Sequence, residues 1–140
     1  MNSESRKPLE GARVLLVEDV APVAIEIAHI LMEAGAEIVG PARSVEEAVA
    51  LAKSEFLSCA VLDVMLHGRE VYPAAQVLGK KGAGLLFLTA VPDTTRIMKE
   101  WPHAKVVLKP FSKAQLIEAA IAACPRCKAS SMGNHIPAPR

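Results

Sequence analysis

The chain has 140 residues, 51% of them hydrophobic and 22% charged, with a formal net charge of +1 at pH 7. This length suits one domain that buries roughly 68–70% of its unfolded surface, and the 51% hydrophobic content argues against general disorder; no apolar run approaches the roughly 18 residues of a membrane span, and Lys and Arg are too dispersed to form a basic footprint for nucleic acid. Three cysteines make no disulfide framework, and the polar start, Met1 to Glu10, lacks the apolar core of a signal peptide, so a cytoplasmic location is expected.

Residues 1–11 read as a loose lead-in, 12–123 as the folded domain and 124–140 as a flexible, aperiodic tail. Arg13–Val17 is the first strand, a continuous apolar run of the kind buried on both faces of a parallel sheet, and it exits on Glu18 and Asp19. Pro22 fits the first turn of a helix running to about Ala34, with Gly35 beyond its end. Glu37–Gly40 is a short second strand. Ser44 and Glu47 have the spacing of a capping box, opening a helix to about Ser54 that offers Val45, Ala48, Val49 and Ala52 to a sheet. Cys59–Asp63 is the third strand, four small or apolar residues running into one carboxylate. After a loop at Met65 to Arg69, a helix covers about Val71 to Leu78, with Gly79 and Gly82 at its exit. Leu85–Thr89 is the fourth strand, Pro92–Glu100 a short helix ended by Pro102, and Lys105–Leu108 the fifth strand, leading to Lys109. Ser112 caps a last helix through about Ala123, carrying Leu116, Ile117, Ala120 and Ile121. Five strand–helix units favour a parallel sheet with helices on both faces and right-handed crossovers.

A buried strand has no reason to end on a charge unless the group emerges at the sheet's rim, and in open α/β sheets chemistry lies at the carboxyl ends of the strands. Here Glu18, Asp19, Asp63, Thr89 and Lys109 all stand at such exits. With these motifs, Val17-Glu18-Asp19, Leu62-Asp63, Leu88-Thr89-Ala90 and Lys109-Pro110-Phe111, the chain from about Arg13 to Ala123 resembles the receiver domains of two-component response regulators.

The resemblance implies a flavodoxin-like (βα)5 fold, a doubly wound five-stranded parallel sheet of order 2-1-3-4-5. The first and third strands would then be neighbours, crowding Glu18, Asp19 and Asp63 into one pocket. Two like charges 4 Å apart repel by ~1 kcal/mol in water and ~4 kcal/mol at an effective dielectric near 20, so three carboxylates call for a cation. Oxygen ligands select a hard one, and Mg²⁺ suits a site shared with a phosphoryl group. By the same resemblance, Asp63 is the phosphoacceptor. Asp19, Asp63 and the backbone carbonyl of Met65 ligate Mg²⁺, and Glu18 acts mainly through an intervening water. Thr89 and Lys109 contact the phosphoryl oxygens, the small Ala90 leaves room for the phosphodonor, and the Lys109–Pro110 bond is cis. The implied protein is a single-domain response regulator that catalyses only its own phosphorylation and dephosphorylation. Its donor is a histidine kinase or histidine phosphotransfer protein, and its output is a contact with an unidentified downstream protein or onward phosphorelay. The face of the fourth helix, fifth strand and fifth helix, including Arg96, Lys99 and Lys105, offers a homodimer surface. Neither nucleic acid nor membrane is an expected partner.

Several positions depart from the family pattern. Val106 replaces the aromatic switch residue usual three positions before the lysine. Leu66-His67-Gly68-Arg69 stands where most receivers have Pro three residues after the acceptor. Met65 and Val91 occupy the two positions that tune loss of the phosphoryl group, and being apolar they imply a long-lived one. The chief rival is a pseudo-receiver that binds partners without phosphorylation, a reading to which Val106 lends weight. A flavodoxin would need a hydroxyl-rich phosphate loop where Val20-Ala21-Pro22 stands, and an aspartyl-phosphate phosphatase a second Asp at Met65. Cys124 and Cys127 with His135 fall short of a zinc site's ligands and read as tail thiols. His67 reads as a solvated loop group, His29 as a helix-face residue, Trp101 as packing at a helix end, and Glu46 and Glu47 as capping and a solvated face. The first helix is apolar on more than one side, around Val20, Ala21 and Ile25, which fits either deep burial or a docking face for a kinase.

Overall fold

The structure, a computed structural model, describes residues 6–124. The C-terminal tail beyond Cys124, with Cys127 and His135, lies outside the described residues. Five strands, β1 (Arg13–Val17), β2 (Glu37–Ala42), β3 (Cys59–Asp63), β4 (Gly84–Thr89) and β5 (Lys105–Leu108), form one sheet. They alternate with α1 (Ala21–Glu33), α2 (Val45–Ser54), α3 (Tyr72–Lys80), α4 (Thr95–Glu100) and α5 (Lys113–Ala123). Every pairing in this sheet is parallel, and the order is β2-β1-β3-β4-β5. This is the doubly wound, flavodoxin-like α/β fold expected of the sequence.

Side-chain alternation along each strand builds two cores. Leu15, Val17, Ala60, Leu62 and Phe87 pack beneath α2, α3 and α4, while Val14, Leu16, Val61, Leu86 and Leu88 pack beneath α1 and α5. β3 lies in the middle, and all five of its residues are buried. Its apolar run therefore serves both cores at once, and Asp63 is delivered to the rim by a strand with no freedom to slide. Among the described residues, no helix is long and apolar enough to cross a membrane.

The boundaries differ from the expected ones where local chemistry intervenes. β2 continues two residues past Gly40, through a cis Gly40–Pro41 bond, to Ala42. Gly40 has φ +104°, and a Cβ there would lie 2.9 Å from the Leu16 carbonyl, so only glycine fits. α3 starts at Tyr72 and runs through Gly79 to Lys80, past the expected exit. α4 begins at Thr95 rather than Pro92, because Asp93 accepts from both the Thr95 N–H and its hydroxyl in a turn that precedes the helix. Ser44 caps α2 by accepting from the Glu47 N–H at 3.1 Å, but Glu47 reaches back to the Arg43 N–H at 2.9 Å instead of closing a reciprocal box. The full box occurs at α5, between Ser112 and Gln115. Leu9, placed in the loose lead-in, is fully buried, and its N–H donates to the Ala34 carbonyl at 2.7 Å. α1 is buried along Ala24, Ile27 and Leu31, while Val20 before it and Ile25 and Met32 within it are exposed, so deep burial on all sides is not what the helix adopts.

Candidate functional site

Glu18 and Asp19 follow β1 directly, and Asp63 is the last residue of β3. The β1–β3 register, Val17 opposite Leu62, sets Glu18 opposite Asp63. Glu18, Asp19 and Asp63 each bring one carboxylate oxygen within 4.8 Å of the others. Thr89 closes β4 and Lys109 follows β5. The Lys109 N–H donates to the Thr89 carbonyl at 2.8 Å, tying the two strand exits together, and the Lys109–Pro110 bond is cis. The Lys109 Nζ lies 3.2 Å from Asp63 Oδ2 and 3.7 Å from Glu18 Oε1. All five strand-exit residues singled out in the sequence thus meet at one end of the sheet.

Their surroundings are unequal. Glu18, Asp63 and Thr89 are buried. Burial pushes the Glu18 carboxyl up to about 7; the Val20 N–H on Oε2 opposes the shift and the Asp63 charge reinforces it. For Asp19, burial works upward too, but the His67 N–H, its own N–H and a hydrogen bond with Glu18 outweigh it, so the net shift is downward. The Thr89 Oγ1 accepts from the Val91 N–H at 3.0 Å. That contact uses a lone pair and leaves the hydroxyl proton to donate to a ligand.

The donor set fits a hard divalent cation. Three carboxylates converge, and among the described residues Glu18 Oε1 is the buried side-chain oxygen with no hydrogen-bond partner. A buried acceptor without a partner is costly, and a cation removes the cost. Met65 stands two residues past Asp63, at the start of a small antiparallel hairpin in which Met65 pairs with Glu70 and Leu66 with Arg69.

That hairpin replaces the expected loop, and its contacts were not anticipated. His67 adopts φ +50° and Gly68 φ +78° at its two-residue turn. The His67 N–H donates to Asp19 Oδ2 at 2.9 Å, with Nδ1 3.5 Å from the same oxygen. Arg69 pairs with Glu46 of α2, so Glu46 is not merely solvated. A glycine second in a two-residue turn was the available signal. Trp101, by contrast, packs at the end of α4 as expected, 5.3 Å from the Tyr72 ring and 5.4 Å from Phe87.

No family model matches the sequence. The chain is 34% identical over 110 residues to the transcriptional regulatory protein PdtaR of Mycobacterium tuberculosis, an alignment covering 76% of this chain and 54% of that protein. A CheY-like response-regulator receiver domain protein from Methanospirillum hungatei superposes with a TM-score of 0.69 at 27% identity, covering 83% of this chain and 96% of that one. The chain is a response-regulator receiver domain. The receiver also superposes on the response regulator TrrA of Thermotoga maritima in complex with Mg²⁺ and BeF, with a TM-score of 0.68 at 27% identity, covering 78% of this chain and 96% of TrrA. It spans about half the length of the curated relatives it matches. A receiver is a signalling domain of two-component systems, and the pocket lies where β1, β3, β4 and β5 deliver their polar ends.

Proposed function

We propose that this receiver, residues 12–123, is a phosphoryl-accepting switch with Asp63 as the acceptor, serving a histidine kinase or histidine phosphotransfer protein. The observation that carries the reading is Asp63 itself, buried at the end of the central strand, within 3.2 Å of the Lys109 ammonium and beside two further carboxylates. A carboxylate oxygen of Asp63 attacks phosphorus and forms a P–O bond. The bond from phosphorus to the donor's leaving atom breaks, and that atom, a histidine nitrogen or the acyl oxygen of acetyl phosphate, keeps the electron pair. The product is an aspartyl phosphate, an established use of carboxylate nucleophiles.

Phosphoryl transfer needs positioning and charge neutralisation more than covalent machinery. Glu18, Asp19, Asp63 and the Met65 carbonyl would hold Mg²⁺, which would supply positive charge to the carboxylates and to the transferring oxygens. TrrA, bound to Mg²⁺ and BeF, supports that choice of ion. The Lys109 ammonium, 3.2 Å from Asp63 Oδ2, adds a compact point charge, and the Thr89 hydroxyl donates to a phosphoryl oxygen. Met65 and Val91 have exposed apolar side chains and cannot orient an attacking water, which favours a slow return to the free carboxylate. Output goes to a protein partner or along a phosphorelay in the cytoplasm.

Intact-mass measurement after incubation with acetyl phosphate and Mg²⁺ tests the reading. Wild type gains one phosphoryl group, and Asp63→Asn or removal of Mg²⁺ with a chelator gives none. A mass gain that persists in Asp63→Asn sinks the assignment. No gain in wild type that binds Mg²⁺ but takes up no beryllofluoride returns weight to a pseudo-receiver.

His67 allows a finer test of the cation pocket. Its link to Asp19 comes chiefly from the backbone, which glycine retains at the same positive φ without strain. His67→Gly is therefore expected to keep Mg²⁺ affinity within about fivefold, the range of an exposed ion pair worth ~0–1 kcal/mol. A far larger loss in a Mg²⁺ titration means the imidazole itself holds the pocket.

A further inference from the structure

The Met65–Glu70 hairpin reaches three other parts of the fold. Its turn holds Asp19 through the His67 N–H. On its return strand Arg69 pairs with Glu46 of α2, and Glu70 lies 3.1 Å from Arg96 of α4. Its base is closed by the Val71 N–H on the Val64 carbonyl at 2.8 Å, and the Val64 N–H donates to Leu88 of β4 at 3.0 Å. Met65 is the cross-strand partner of Glu70. A contiguous path therefore runs from Asp63 along the chain to Met65, across the hairpin to Glu70, and by an ion pair to Arg96.

The far end of the path is the element with the least to hold it. α4 has six residues and one buried side chain, Ile97. Arg96 supplies much of the remaining attachment. It pairs with Glu70 and with Glu100, and its guanidinium lies 4.3 Å from the centre of the Tyr72 ring, within cation–π range. Tyr72 opens α3 directly after the hairpin and packs on Trp101, which ends α4. An exposed ion pair adds little to global stability. For a helix anchored by one buried residue, however, contributions of that size decide its position. β5 offers no alternative, since Val106, paired in register with Phe87, carries no ring whose rotation could move α4.

We propose that the Met65–Glu70 hairpin couples the state of the acceptor pocket to the position of α4 through Glu70 and Arg96. The proposal rests on Asp63 being the acceptor and adds the route by which its state leaves the pocket. Because Met65 and Glu70 share a ladder pair, a change at the carboxyl end of β3 shifts Glu70, and Arg96 carries the shift into α4 and onto the Tyr72–Trp101 contact.

The chain's single tryptophan is Trp101, so its emission reports on the end of this path. The full chain is titrated with Mg²⁺ and beryllofluoride, an acyl-phosphate mimic. Two signals are read: the ¹⁹F resonance of the bound mimic, for pocket occupancy, and Trp101 emission, for α4. Wild type is expected to show both. Glu70→Gln and Arg96→Met, both on half-exposed residues outside the pocket, keep the ¹⁹F signal while the Trp101 change falls by about fivefold, the lower end of ordinary allosteric coupling. An undiminished Trp101 change in either single variant overturns the route. A wild type that binds the mimic with no Trp101 change overturns the coupling and leaves the acceptor reading standing, whereas a wild type that binds no mimic removes both.

Discussion

Lys109→Met is expected to retain Mg²⁺ binding yet take up the phosphoryl group from acetyl phosphate about 10²–10³-fold more slowly than wild type, the usual effect of deleting one preorganised charge-stabilising donor. Lys109 Nζ lies 3.2 Å from Asp63 Oδ2 and 3.7 Å from Glu18 Oε1, and contributes a cation to a pocket of three carboxylates. Methionine keeps the length of the stem and the Pro110 junction while removing the charge. The Lys109 N–H bond to the Thr89 carbonyl also survives, since it belongs to the backbone. The defect should therefore lie in the rate and not in the fold. An intact-mass time course with a parallel Mg²⁺ titration separates the two, and wild-type kinetics in the variant would show that the ammonium does not face the transferring group.

Phe87→Ala is expected to be the most damaging single truncation in the core beneath α2, α3 and α4. Phe87 is fully buried at the middle of β4, between Leu62 on β3 and Val106 on β5. Its ring meets Tyr72 edge-on at 6.1 Å and Trp101 at 5.4 Å. Removing a buried phenylalanine costs ~3–5 kcal/mol through lost transfer energy and the cavity left behind. Against a total stability of ~5–15 kcal/mol, that is a large fraction. Urea unfolding should show a loss in this range, with a fall in Tm of roughly 10–20 °C for a domain of this size. A loss under ~1 kcal/mol would mean that Tyr72 and Trp101 close over the gap.

The sheet was legible in the sequence because its signal is simple. Cys59–Asp63 and Leu85–Leu88 are apolar on both faces, as central parallel strands must be, and β1 to β5 appear where those runs occur. The site was legible for the same reason. A charge or hydroxyl ending a buried run has one place to go, and Glu18, Asp19, Asp63, Thr89 and Lys109 converge there. The missed features depend on partners distant in sequence. His67 reads as a loop residue until the hairpin brings its N–H to Asp19, 48 positions away. Glu46 reads as a solvated charge until Arg69 arrives from the same hairpin. The onset of α4 was missed for a local reason, the preference of Asp93 for a turn with Thr95 over a helical start. Burial of Leu9 is likewise invisible from composition, since a polar lead-in gives no sign that one residue anchors against the end of α1.

The central claim is that one carboxylate, Asp63, forms the covalent bond to phosphorus, although Glu18 and Asp19 crowd the same pocket. Borohydride reduces an aspartyl phosphate to homoserine at the residue that carried it. Wild type incubated with acetyl phosphate and Mg²⁺, reduced with borohydride and mapped by peptide mass spectrometry, is predicted to carry homoserine at position 63 and at no other carboxylate. Homoserine at position 19, a reduced glutamyl product at position 18, or a phosphorylated protein with no reducible carboxylate would contradict the account.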